Sequence, residues 1–155
     1  MYHYLECGLP DVWLVNGYEW VPTSMGRALR IRSSDELDKA IQRSVVMRPG
    51  RMTGREFRYL RRSLDLSQRA LADMLGNDEQ TIALWEKRRG PPLWADRLIR
   101  LFQREQAGRV IHLRAAFGEA SANAKRSRAK ATRMNFEFRG RGRWHEVSTE
   151  WVRAA

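Results

Sequence analysis

The chain is poor in cysteine, poor in histidine and free of long apolar runs, and each shortage removes a class of function. With Cys7 the only cysteine among 155 residues, no intramolecular disulfide can form, and nothing argues for an oxidising compartment. Cys7 reads most simply as a small buried apolar residue. One cysteine and three dispersed histidines, His3, His112 and His145, offer no paired-ligand spacing of the kind zinc sites use, so no metal is expected. No stretch approaches the ~18 apolar residues of a membrane span, and the opening Met-Tyr-His-Tyr-Leu-Glu lacks a basic region followed by an apolar one. The expectation is a cytoplasmic protein with no membrane association. A Gly-rich phosphate loop, a Ser-His-Asp or Cys-His arrangement and a compact carboxylate pair are also missing. Neither catalysis nor a cofactor is expected, and His145-Glu146 reads as a surface pair.

Positive charge, by contrast, is abundant. Lys and Arg total 29 against 18 Asp and Glu, a formal charge of +11, which points to a polyanionic partner such as nucleic acid; charge alone leaves an acidic lipid surface open. Hydrophobic residues at 43% and charged residues at 30% permit a real core and argue against wholesale disorder. The length suits one ordinary domain, or a small domain with extra lobes, and rules out a large multi-domain enzyme. Net charge is 0 over residues 1–50, +5 over 51–104 and +6 over 105–155. The rise begins after Pro49-Gly50, a turn dipeptide that reads as a domain junction.

Local signals then divide the chain into elements. Val12 to Val15 and Tyr18 to Val21, β-branched and aromatic, flank Asn16-Gly17 and predict a β-hairpin. A third strand from Ala28 to Ile31 precedes Ser34, read as the cap of a helix burying Leu37, Ala40, Ile41 and Val45. Thr53 and Glu56 make a T-x-x-E capping box before a helix that buries Phe57, Leu60 and Leu64 and carries Arg55, Arg58, Arg61 and Arg62 on its other faces. Ser67 caps a short helix with Ala70, Leu71, Met74 and Leu75 inward, closed by Gly76 in the left-handed conformation. Asp78 caps the next, which buries Ile82 and Trp85 and ends at Lys87-Arg88-Arg89-Gly90 and Pro91-Pro92. A fourth helix from about Ala95 to Phe102 presents Leu98, Ile99 and Phe102 to the core. Val110 to Phe117 suits further helix and Lys125 to Arg133 a basic tether. Asn135-Phe136-Glu137-Phe138 and Trp144, on either side of Arg139-Gly140-Arg141-Gly142-Arg143, suit a terminal hairpin. The expected fold is mainly α with small β elements. A β/α lobe with a hairpin occupies residues 1–50 and a four- or five-helix bundle 51–104. A helix and tether follow over 105–134, and a C-terminal hairpin or tail over 135–155.

The helix from Ser67, the Gly76 turn and the helix from Asp78 together form a helix-turn-helix, whose second helix can enter a major groove about 12 Å wide. Leu71 and Ala72 sit where the helices cross, Ala72 because a larger side chain would force them apart, while Ile82 and Trp85 fasten the reading helix. Leu66-Ser67-Gln68-Arg69-Ala70-Leu71-Ala72, Leu75-Gly76 and Thr81-Ile82-Ala83-Leu84-Trp85-Glu86-Lys87 resemble the Cro and phage-repressor (XRE) helix-turn-helix family over roughly residues 52 to 103. The resemblance implies a compact helical bundle that binds double-stranded operator DNA, usually as a dimer, in a repressor or an antitoxin. An N-terminal lobe ahead of the bundle is also similar to the layout of MqsA-type antitoxin regulators, but their zinc-binding cysteine pairs are missing here, so no metal is carried over.

Carried onto this sequence, the resemblance puts Gln68 on a phosphate and Glu79, Gln80, Thr81 and Leu84 on the groove-facing surface. The chemistry agrees for most of them: Gln80 can bond an adenine bidentately, Thr81 can bond a base or pack on a thymine methyl, and Ala83 and Leu84 offer apolar contact. Glu79 either accepts from a cytosine amine or points away and serves the helix N-terminus. Ser67, Lys87, Arg88 and Arg89 are phosphate candidates beside the motif, against the bland alternative of a solvated basic run. Of the arginines on the first bundle helix only one or two can face DNA. Lys125 to Lys130 reads either as an arm tracking the duplex or as a linker. Trp13, Trp20, Trp144 and Trp151 read as core or as a partner surface, and Trp85 and Trp94 as core. The function expected is a sequence-specific, dimeric DNA-binding repressor reading an inverted repeat. Two rivals stand beside it: an antitoxin that neutralises a protein toxin, and a nonspecific nucleic-acid binder.

Overall fold

A computed structural model of the chain describes residues 1–108 and 133–148. The further helix from Val110 to Phe117, Lys125 to Lys130 and Trp151 lie outside the described residues. In chain order the elements are β1 (Tyr2–His3), β2 (Val12–Leu14), β3 (Tyr18–Thr23), β4 (Gly26–Ile31), α1 (Ser34–Met47), α2 (Gly54–Ser63), α3 (Gln68–Leu75), α4 (Glu79–Lys87), α5 (Leu93–Gln106), β5 (Met134–Arg139) and β6 (Arg143–Val147). The architecture is mainly α with small β sheets, as expected. Two compact units are formed, Met1–Ser44 with Ala131–Ala155, and Val45–Lys130. They divide inside α1, whereas the charge profile points to Pro49-Gly50.

The first unit corrects the expected N-terminal hairpin. β2 does not pair with β3. It lies inside a four-stranded sheet of order β1-β2-β5-β6, antiparallel to β1 and parallel to β5, while β3 and β4 form their own two-stranded sheet. Asn16-Gly17 therefore carries the chain from one sheet to the other. The Val15 N–H donates to the Phe136 carbonyl at 2.7 Å and the Phe138 N–H to Asn16 Oδ1 at 2.6 Å, so the groups a hairpin would have used are spent on β5. Gly17, at φ 73°, is packed so closely that a Cβ would strike Phe138 and the Trp144 ring. Val12, Leu14, Met134, Phe136 and Trp144 are buried. The C-terminal hairpin forms where expected, with Phe138 opposite Trp144. In α1, Leu37, Ala40, Ile41 and Val45 are buried as the period predicts. Its first backbone bond runs from Leu37 N–H to the Ser33 carbonyl, so Ser33, not Ser34, stands at the cap.

The second unit is the helical bundle, with Met52, Phe57, Leu60, Leu71, Ala72, Ile82, Ala95 and Ile99 in its core. Each large apolar side chain so buried stabilises by about 1.5–3 kcal/mol. The capping box is present: the Glu56 N–H donates to Thr53 Oγ1 and the Thr53 N–H to Glu56 Oε2 at 2.7 Å. Polar groups fasten the segment leading into α2. Asp96 accepts the Met52 N–H at 2.7 Å and Arg100 Nε at 2.5 Å. The Arg100 guanidinium also donates to the carbonyls of Val46, Arg48 and Gly50 at 2.6, 2.9 and 3.2 Å. Pro49-Gly50 is thus a turn tied to α5. Two side chains read as inward lie outward, Met74 at 56% exposed and Trp94 at 44%, and Cys7 is only partly buried. Met74 belongs to a two-turn helix, too short for its period to tell a flank from the core face. Burial still pushes the Cys7 thiol up to about 11, and its S–H donates to the Tyr4 carbonyl at 3.3 Å.

Candidate nucleic-acid interface

The site is built from two short helices whose ends are set by single residues. Ser67 Oγ accepts the Ala70 N–H at 2.9 Å and starts α3. Gly76, at φ 67° and ψ 35°, ends it in the left-handed region, where a residue with a Cβ is strained. Two residues later Asp78 accepts the Thr81 N–H at 2.6 Å and starts α4. Its carboxyl is held below the usual aspartate value, chiefly by that backbone bond. Leu71, Ala72 and Ile82 are essentially inaccessible. Trp85 is half-buried, edge-on to Phe57 at 5.9 Å and to Trp94 at 5.8 Å.

Behind α4 lies a polar lock that local sequence signals do not announce. Glu86 is 7% exposed and accepts from Arg61 Nε at 2.6 Å, Arg61 Nη2 at 3.3 Å and Gln68 Nε2 at 2.8 Å. Arg61 Nη1 donates to the Leu66 carbonyl at 2.6 Å, so one guanidinium ties α2, the α2–α3 turn and α4 together. A buried carboxylate is tolerable only when so compensated. Gly54 completes the lock: a Cβ there would collide with the carbonyls of Trp85 and Glu86, so the C-terminal turn of α4 sits directly on the first turn of α2. Arg61, Glu86 and Gly54 hold α4 against α2 yet look, in sequence, like a surface charge, a motif letter and a spacer. Their only sequence signal is an acid and a base 25 residues apart.

With Ile82 and Glu86 facing inward, a turn of about 100° per residue sends Gln80, Leu84 and Lys87 to the opposite side, with Thr81 and Ala83 on its flanks. Exposure agrees: Gln80, Leu84 and Lys87 are exposed, Leu84 at 48%, and Thr81 and Ala83 are half-exposed. Glu79 is exposed in the first turn, off the Gln80–Leu84 line. Ser67, Arg88 and Arg89 are exposed. Gln68 is half-buried, with its amide directed at Glu86. Of the α2 arginines, Arg61 is turned inward, whereas Arg55, Arg58 and Arg62 are exposed, Arg58 Nε lying 4.0 Å from Glu86 Oε2.

Two short packed helices joined by a left-handed glycine turn, with an exposed stripe of polar, basic and apolar side chains on the second, define the class: a DNA-binding regulator of the helix-turn-helix kind. Residues 57–93 match the family model described as helix-turn-helix, of the Cro/C1 (XRE) type. No curated protein and no solved structure matches the chain.

Proposed function

We propose that the chain is a sequence-specific transcriptional regulator of double-stranded DNA, a dimeric cytoplasmic repressor that reads an inverted repeat with α4. The observation that carries this reading is the outward stripe of α4, free of the core that Ile82, Trp85 and Glu86 enter. In the major groove Gln80 presents a donor and an acceptor to adenine, Thr81 bonds a base, and Ala83 and Leu84 pack against thymine methyls. Glu79, off this line in the first turn, either accepts from a cytosine amine or serves the helix N-terminus. Lys87, Arg88 and Arg89 neutralise phosphates from one side, and Ser67 and Gln68 meet the backbone at the start of α3. The Glu86 bond leaves Gln68 a second N–H for this purpose. A dimer places its reading helices about 34 Å apart, one DNA turn. Among the described residues no helix is long and apolar enough to cross a membrane.

Selection of bound duplexes from a random pool tests the reading. A dimeric regulator returns two related half-sites in inverted orientation, and Gln80→Ala relaxes one position in each at a cost of about 1–3 kcal/mol. A pool with no preferred sequence, or a preference unmoved by Gln80→Ala, would refute the assignment of the reading face.

A further inference from the structure

The tip of the β5–β6 hairpin carries arginine where hairpin stability argues against it. Arg139 stands directly opposite Arg143 in the register, and like charges opposed across an antiparallel pair repel. Between them, in the Gly140-Arg141-Gly142 loop, Arg141 holds φ at 71°, a left-handed conformation suited to glycine or asparagine. Among the described residues three non-glycine positions have positive φ, Ser33, Asp65 and Arg141, and two of them meet here. A Cβ on Gly142 would lie 3.8 Å from Ser33 Oγ, and the Trp144 indole N–H donates to the Arg32 carbonyl at 2.8 Å. The Arg32 backbone is thus bonded to β6 one residue from Arg143, and Arg32, Arg139, Arg141 and Arg143 are all exposed. Nearby acids are fewer: Glu137 pairs with Arg139 at 2.8 Å, and Glu36 pairs with Lys39 at 2.9 Å while also attracting Arg143. Backbone strain kept alongside repelling charges, with Arg141 in no described ion pair, is what an anionic partner would explain.

We propose that this tip is a second phosphate-contacting element, which grips the sugar-phosphate backbone of duplex DNA. The inference rests on the reading of the chain as a DNA-binding regulator. Guanidinium forks match phosphate oxygens bidentately, and the glycines flanking Arg141 leave no Cβ to hold the loop away from a duplex. An acidic protein is the less suitable partner, because protein interfaces anchor on buried aromatic or aliphatic side chains. The loop offers none: Trp144 is buried and Phe138 half-buried. Such a grip adds affinity and salt dependence without sequence information.

Two variants of the full chain test the proposal, the triple variant R139A/R141A/R143A and the single variant Arg141→Gly. Fluorescence anisotropy gives affinity against salt concentration on the duplex that the full chain selects and on a mixed-sequence duplex of equal length. Each phosphate that a variant no longer neutralises should reduce the slope of log affinity against log salt by about 0.9. Both duplexes should weaken by the same factor, and the selected sequence should stay the same. Arg141→Gly relieves the positive φ while removing one charge, so its melting temperature should hold or rise as its slope falls, which separates a weaker grip on phosphate from a folding defect. Slopes unchanged in both variants, while Gln80→Ala still relaxes sequence preference, would overturn the tip and leave the reading helix standing. A full chain that binds neither duplex would overturn both.

Discussion

Asp78 starts α4 with one carboxylate, and that makes this helix sensitive to acid. The exposed carboxyl is held below its ordinary value because it accepts the Thr81 N–H. In the unfolded chain it returns to about 3.9. A group whose folded pKa is depressed contributes its full stabilisation above the unfolded value and loses it as pH falls through the folded one. Helical circular dichroism during acid titration should therefore show an earlier loss in the wild type than in Asp78→Asn, which keeps an acceptor at the cap without titrating. Identical acid limbs would mean that the cap does not hold α4. At this scale Thr53, Ser67, Gly76 and Asp78 were all legible, because each acts on a backbone group within three residues of itself. Gln68 was legible only as a motif letter. Its partner Glu86 is 18 residues away, and no local rule foretells that a candidate phosphate ligand is first oriented by a buried carboxylate.

Among the elements, the packing of α2 against α4 decides how firmly the reading helix is held. Gly54 lies in the first turn of α2, and helix propensity alone would reward Gly54→Ala by about 0.5–1 kcal/mol. Packing reverses the sign. The added methyl meets the Trp85 and Glu86 carbonyls, backbone atoms that cannot rotate away, and overpacking of this kind costs about 1–3 kcal/mol. Denaturant titration should show a lower midpoint at unchanged slope; a higher midpoint would mean that α4 does not approach so closely. Element boundaries were readable because caps and breakers are local. The orientation of short helices was less so: Met74 lies on a two-turn helix and Trp94 beside a Pro-Pro start, and both are exposed.

For the whole molecule, the decisive feature is a sheet assembled from both ends of the chain. β2 pairs in parallel with β5, Val12 with Met134 and Leu14 with Phe136, and Asn16 bonds Phe138 across 122 residues of sequence. Truncating the fully buried Phe136 should cost about 3–5 kcal/mol. In Phe136→Ala, hydrogen exchange should show the amides of Val12 to Val15 losing protection together with those of β5. Protection retained in β2 would contradict the parallel pairing. This arrangement also explains the failed hairpin: Asn16-Gly17 is a good two-residue turn, but a central strand with two neighbours outweighs a local turn preference, and the turn bends the chain toward a different sheet.

Sequence by itself determined the helical bundle, its caps, the burial of Leu71, Ala72 and Ile82, the outward stripe of α4 and the strong positive charge, because these follow from hydrophobic period, side chains that bond their own backbone, and residue counts. Tertiary structure alone decided that Glu86 is a buried lock rather than a surface acid, that the N- and C-terminal strands share a sheet, and that the arginine-rich β5–β6 tip lies beside Ser33. Those outcomes depend on which distant groups must share one buried space or one edge. Such choices are settled by desolvation and by the competition for backbone partners, which become defined only once the chain has closed on itself.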